Sequence, residues 1–177
     1  MQYTSIYQSP VGEMLLAADE VGVVGLWFKD EKYYAYCLDK ENEPRETHTI
    51  KKLKRWLDTY FEGREPDFTP PLHMIGTQFQ IEVWNILREI PYGKTTTYNE
   101  IAKKIAKNRG VERMSAQAVG TAVGKNSINL IVPCHRVVGT NNSLAGYAGG
   151  IDKKITFLKL EGAYKDEYFV PKHSTAP

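Results

Sequence analysis

Three short stretches near the N-terminus, "YTSIYQ", "GEMLLAAD" and "GVVGLWFK", are rich in β-branched, aromatic and aliphatic residues and are separated by the turn-forming "SPVG" and "DEVG". That pattern predicts a small antiparallel meander. In "THTIKKLKRWLDTYFEG" the period changes: Ile50, Leu53, Trp56, Leu57 and Tyr60 recur at helical spacing, with Thr47 or Thr49 as candidate caps and Gly63 beyond the end. One amphipathic helix is expected to cover the sheet. "GREPDFTPPLHMIG" holds three prolines and no clear period, which predicts a linker over 63–76 between an α+β domain at 1–62 and a second domain at 77–163, with a tail at 164–177.

The second domain reads as mostly helical. Phe79, Val83, Ile86, Leu87 and Ile90 form an apolar stripe behind the candidate cap Thr77, and Pro91 is expected to stop that helix. Thr97, with Glu100 completing a capping box, begins another helix, and "KNRGVERM" leads into a third, "SAQAVGTAVGKN", dense in small residues. On that third helix Gln117, Gly120, Thr121 and Gly124 are assigned to an outer face and Ala118, Val119, Ala122 and Val123 to a docking face. A helix, a Gly-containing turn and a small-residue helix make the pattern of a helix-turn-helix. Its flat outer face carries few long base-reading side chains, so it suits backbone and groove shape better than a specific sequence.

Charge sharpens the division. Residues 1–75 hold 9 Lys/Arg against 13 Asp/Glu, and residues 76–163 hold 12 against 6, so a net +2 conceals −4 and +6. The basic half is either a set of solvated helix faces or a surface for a polyanion, with Lys103, Lys104, Lys107, Arg109 and Arg113 placed to hold phosphates. No signal peptide or membrane span is legible, and the 2 cysteines, Cys37 and Cys134, lack zinc-site spacing. A reducing cytoplasm and no metal or cofactor are the expectations.

The chemistry concentrates in "IVPCHRVVG". A cysteine there reads either as a small buried hydrophobe or as a nucleophile beside its base. Pro133 is expected to end a strand so that Cys134 sits where the chain turns, and His135 and Arg136 supply positive potential to the thiol. In an extended strand His135 would point away from Cys134 and reach it only through a bend or a bridging water.

"VPCHRVVG", preceded by "AQAVGTAVGKNSINLI" and followed by "LAGYAGG" and "FLKLEG", resembles the signature of the 6-O-alkylguanine-DNA alkyltransferases, also called methylated-DNA-protein-cysteine methyltransferases, from about Thr77 to Gly162. The resemblance implies a ribonuclease-H-like first domain and a winged-helix-like helix-turn-helix in the second. It implies that Cys134 accepts the alkyl group, that His135 is a water-mediated base, that Glu161 orients the imidazole, that Tyr98 donates to the leaving guanine and that Asn126 is a hinge. Val137, Val138, Tyr147, Ala148 and Gly149 would wall the guanine pocket, and Ala116, Gln117, Gly120, Thr121, Arg113, Lys125 and Arg136 would face DNA. Two positions depart from the family pattern: Gln117 stands where an intercalating arginine is usual, and Ser127 where a proline is. The implied activity is removal of alkyl groups from O6 of flipped guanine in double-stranded DNA, with O4-alkylthymine a secondary candidate, by a monomer acting once. The alternatives are a damage-sensing relative that transfers nothing, a helix-turn-helix regulator and a papain-like hydrolase.

Overall fold

The computed structural model describes residues 1–172, and residues 173–177 of the expected tail lie outside the described residues. The chain divides into two units, one of residues 1–75 with 127–131 and the other of the remainder.

The first unit is built on the expected meander. Strands β1 (Gln2–Ser9), β2 (Gly12–Ala18) and β3 (Val23–Phe28) pair antiparallel in order, with Tyr7 opposite Met14 and Leu16 opposite Leu26. Alternation along β2 buries Met14, Leu16 and Ala18. β3 is buried along its whole length, so its sequence is continuously apolar. Gly25 is required by Trp27: a Cβ there would lie 1.9 Å from the indole. A fourth strand, β4 (Asn42–Pro44), runs parallel to β1 at the far edge. Helix α1 (His48–Phe61) is capped by Thr47, whose side chain accepts from Ile50 N, and it buries the five predicted apolar residues. Each such side chain contributes roughly 1.5–3 kcal/mol on leaving water.

The free edge of β3 explains two departures from expectation. Val23 N donates to Pro71 O and His73 N to Val23 O, both at 2.8 Å, so the proline-rich segment is stitched onto the sheet rather than left as a linker. Leu26 N donates to Ser127 O at 2.8 Å, and Asn129 donates from its side chain to Leu26 O at 2.9 Å and to the buried Glu31 at 2.8 Å. Residues 127–131 therefore belong to the first unit, although they lie within the sequence of the second. An exposed strand edge presents unpaired donors and acceptors, and these two segments satisfy them.

The second unit comprises α2 (Gln78–Leu87), α3 (Tyr98–Arg109), α4 (Ala116–Gly124) and α5 (Ile151–Leu160), with a parallel pair of two-residue strands, β5 (Thr96–Thr97) and β6 (Val137–Val138). Thr77 and Gln80 form a capping box at α2. That helix ends before Pro91, with Arg88 as its C-cap. Thr97 caps α3, while Glu100 pairs with Lys103 at 3.8 Å rather than reaching back to the cap. Gly110 ends α3 in the left-handed region at φ 67°. Trp84 donates its indole N–H to Ala122 O at 2.8 Å and fixes α4 against α2. On α4 the expected faces are partly exchanged: Gly120 and Gly124 are buried and Ala118 is exposed. Glycines flanking the docking stripe have no side chain to lift them out of it.

The described part of the expected tail packs within this unit. Tyr168 and Ala163 pack with Val138, Leu144 and Leu158, while Leu144 N donates to Phe169 O and Phe169 N to Asn142 O.

Candidate active site

Cys134, His135 and Arg136 form a single 3-10 turn, not the end of a strand, and all three are buried. Val132 O accepts from Cys134 N and Pro133 O from Arg136 N, so the chain is already turning before the cysteine. In such a turn successive side chains diverge by about 120° rather than pointing to opposite faces. The opposition expected of an extended strand is therefore absent here.

The His135 ring is fully buried, and its Nε2 lies 2.5 Å from Glu161 Oε2. The other carboxylate oxygen accepts from Arg136 Nε at 2.7 Å, and Arg136 also donates to Ile90 O at 2.7 Å. Burial opposes ionisation of Glu161, but the hydrogen bonds and charges of His135 and Arg136 outweigh it and bring its pKa from 4.5 down to about 2. Burial acts in the other direction on His135: desolvation keeps its pKa below the usual value despite the carboxylate. The resulting state is a neutral imidazole that donates through Nε2 to a carboxylate. Nδ1, which has no hydrogen-bond partner among the described residues, is then left as an acceptor.

Asn126, just past α4, donates its side-chain amide to Val132 O at 2.7 Å and to Cys134 Sγ at 3.3 Å. One amide thus links the end of the helix to the cysteine turn. Tyr98 heads α3, and its hydroxyl donates to Ala145 O and Gly146 O at 3.3 and 3.2 Å. Burial, and then the proximity of Cys134, push its pKa up, so it remains a protonated donor. Glycine at 146, with φ 83°, permits the turn that presents these carbonyls.

Tyr98 opens onto a cleft of about 680 Å³ that brings together Ala116, Gln117, Gly120 and Thr121 of α4 with the loop from Gly139 to Gly146. That volume is in the range of small-molecule sites. Gln117 and Thr121 are exposed at its rim. The residues expected to wall a pocket lie deeper: Val137 and Val138 are buried in β6, Gly149 is buried, Ala148 is half-buried, and Tyr147 packs edge-on against His135 and Phe157. Thr140, Asn141 and Ser143, which line the cleft, were not anticipated; a polar turn between apolar segments carried no signal for them.

Arg136 is corrected. It was expected to face DNA, but it is 8% exposed and bonded to Glu161 and Ile90, so its charge is used inside the protein. Several of the expected phosphate contacts also have acidic partners: Lys104 pairs with Glu89, Arg109 with Glu82 at 2.6 Å and Lys103 with Glu100. Arg113 is exposed between α3 and α4, and Lys125 is half-buried after α4. Lys154 was missed altogether. It is fully buried and donates to Val137 O at 2.6 Å and Ala145 O at 3.3 Å. Its only sequence signal is its phase on α5, where it shares a stripe with Phe157, Leu158 and Glu161.

A cysteine sharing a turn with a carboxylate-held histidine, in a helical unit whose cleft is lined by a small-residue helix and Tyr98, defines a candidate thiol-activating centre. Residues 78–163 match the 6-O-methylguanine DNA methyltransferase DNA binding domain and residues 2–74 the ribonuclease-like domain of the same proteins. The chain belongs to the 6-O-methylguanine DNA methyltransferase family. It is 44% identical to a methylated-DNA–protein-cysteine methyltransferase of Methanosarcina acetivorans, covering 91% of this chain and 99% of that one. It is 35% identical to the constitutive enzyme of that name from Bacillus subtilis, over 94% and 100% of the two chains. Among solved structures, Mycobacterium tuberculosis OGT in complex with DNA superposes with a TM-score of 0.77 at 35% identity, covering 92% of each chain. Among the described residues no helix is long and apolar enough to cross a membrane.

Proposed function

We propose that this protein repairs DNA by taking an alkyl group from guanine O6 onto Cys134, once per molecule. The observation that carries it is the commitment of His135 Nε2 to Glu161, which leaves Nδ1 as an acceptor on the same turn as the thiol. His135, acting through a water, takes the Cys134 proton, because the thiolate rather than the thiol is the nucleophile. The sulfur forms a bond to the alkyl carbon as the bond from that carbon to O6 breaks, leaving the electron pair with guanine. Guanine takes up one proton, matching the one Cys134 gave up, and Tyr98 is the donor that faces it. A thioether is not displaced under these conditions, so the protein is spent.

An O6-alkyl group inside a duplex is out of reach, so the nucleotide is rotated into the cleft at a cost of a few kcal/mol of stacking and pairing. The helical unit acts as a winged-helix-like helix-turn-helix in which α4 approaches the DNA and Gln117 occupies the gap. The first unit is ribonuclease-H-like, and the protein works as a monomer in a reducing compartment that keeps Cys134 a free thiol.

Incubation with a duplex carrying 6-O-methylguanine is expected to add one methyl group, mapped by mass spectrometry to the peptide containing Cys134. Cys134→Ser is expected to bind DNA and gain nothing. A methyl on Cys37, or repeated turnover by one molecule, overturns the proposal.

A further inference from the structure

The C-terminal segment that follows α5 is bonded to both walls of the cleft. One wall is the loop over 139–146, and the other includes Tyr98 and Asn99 at the start of α3. Phe169 pairs with the loop through its backbone, as a parallel bridge to Ser143: its N–H donates to Asn142 O at 3.1 Å and its carbonyl accepts from Leu144 N at 2.9 Å. Tyr168, one residue earlier, is buried against Val138, Leu144 and Leu158, and its hydroxyl lies 3.0 Å from that of Thr95, three residues before Tyr98. The loop depends on such support. Thr140, Asn141 and Asn142 are exposed, Leu144 is the buried apolar anchor, and Asn142 sits in the left-handed region at φ 67°. A polar turn that buries so little apolar surface opens easily unless its backbone is paired to something else. Tyr98 holds the far end of the loop at Ala145 O and Gly146 O, and Phe169 holds its middle.

We propose that Tyr168 and Phe169 are positioning residues: they strap the loop over 139–146 to the segment entering α3 and so fix the width of the cleft. The proposal rests on the repair reading, in which that cleft receives the alkylated base. Neither residue lines the cleft, so the strap acts through the loop rather than on the base itself. A wall already held in place costs no ordering when the base arrives, whereas a loosened wall must be ordered at each encounter and the base binds more weakly. The thiol and its histidine lie on a separate turn, and the strap leaves their chemistry unchanged.

The test compares wild type with Tyr168→Ala, Phe169→Pro and Phe169→Ala in two reactions of Cys134: single-turnover transfer from free O6-benzylguanine over a range of concentrations, and alkylation by iodoacetamide, which carries no base to be held. Tyr168→Ala removes the anchor, and Phe169→Pro removes the N–H that Asn142 O accepts, while Phe169→Ala keeps it. The first two are expected to raise the half-saturating benzylguanine concentration about tenfold, while the limiting rate and the iodoacetamide rate change by less than about twofold, because a loss confined to binding leaves the chemical step intact. Phe169→Ala is expected to lose far less than Phe169→Pro. An unchanged half-saturating concentration in Tyr168→Ala and Phe169→Pro overturns the proposal, as do equal losses in the two Phe169 variants. A parallel fall in the iodoacetamide rate also overturns it, by placing the effect on the thiol or on the whole fold. Should Tyr168→Ala and Phe169→Pro fail to fold, Tyr168→Phe, which loses only the hydroxyl beside Thr95, is expected to raise the half-saturating concentration about threefold, and no change overturns the proposal. If wild type takes no benzyl group, the repair reading fails, and amide hydrogen exchange still judges the strap: exchange over 139–146 is expected to be about threefold faster in Tyr168→Phe than in wild type, and equal exchange overturns it.

Discussion

At Cys134 the decisive feature is that the histidine proposed as its base is itself held by a carboxylate. His135 Nε2 is bonded to Glu161, and Glu161 is kept ionised by Arg136 as well as by the histidine. His135→Gln and Glu161→Gln are each expected to slow transfer by more than tenfold and to be far from additive when combined, because groups acting as one unit are not independent. Single-turnover rates of the three proteins check this, and additive losses would separate the two roles. The same pair is expected to contribute to the acid sensitivity of the fold. The folded pKa of Glu161 lies below its ordinary 4.5, so its contribution is complete above about 4.5 and is lost as pH falls through about 2. His135, with its pKa lowered by burial, acts in the same direction, since acid drives a proton onto a ring that the fold prefers neutral. The carboxylate's share is on the order of 3 kcal/mol. Urea unfolding between pH 5 and 2 is expected to show wild type losing more stability than Glu161→Gln; equal losses would assign acid sensitivity to other groups.

Among the elements, α4 carries Gln117, the residue proposed to act on duplex DNA. Gln117 is exposed at the rim of the cleft and its helix is otherwise small-residued, so it is the side chain long enough to enter a stack from that helix. Gln117→Ala is expected to reduce transfer from duplex DNA while leaving reaction with free O6-benzylguanine almost unchanged, because no base has to be extruded there. Gln117→Arg is expected to tighten duplex binding by about 1 kcal/mol, the order of one charge-assisted contact. Equal losses on both substrates for Gln117→Ala would make it a pocket residue instead. Elements with a clean period were legible: β1 to β3 by alternation and buried apolar runs, and α1 to α4 by their stripes, the first three also by the caps Thr47, Thr77 and Thr97. The rest was not. Asn42, Glu43 and Pro44 carry no strand signal, and the parallel pairing of β4 with β1 supplies what its sequence lacks. "INLIV" looks like a strand but pairs through a single bridge, from Ile128 to Leu26. Helix α5 was hidden because Lys154, at a core phase, reads as a solvated residue. Cys134, His135 and Glu161 were found through a motif; that Arg136 turns inward depends on a carboxylate 25 residues away, which no local pattern reveals.

For the whole molecule the net +6 of residues 76–163 overstates what is free to meet a polyanion. Arg136 is consumed by Glu161 and Lys154 is buried, while Lys103, Lys104 and Arg109 each lie against a glutamate on the surface. Exposed pairs of that kind are weak, about 0–1 kcal/mol, so a phosphate can compete for the cation, but it gains less than from a cation with no acid beside it. Arg113 has no acidic partner among the described residues and sits in the turn leading into α4, whose N-terminus at Ser115 and Ala116 adds a favourable dipole for an anion. Affinity for undamaged duplex is therefore expected to fall steeply with salt and to vary little with sequence. Each phosphate neutralised contributes about −0.9 to the slope of log affinity against log salt concentration. Arg113→Ala is expected to make that slope shallower by close to one such unit, and Lys104→Ala by clearly less, because removing Lys104 also frees Glu89 to repel the backbone. Fluorescence anisotropy of a labelled duplex titrated across a salt series measures both slopes. If Lys104→Ala changes the slope more than Arg113→Ala, the α2–α3 surface rather than the turn before α4 is the one that tracks the phosphates.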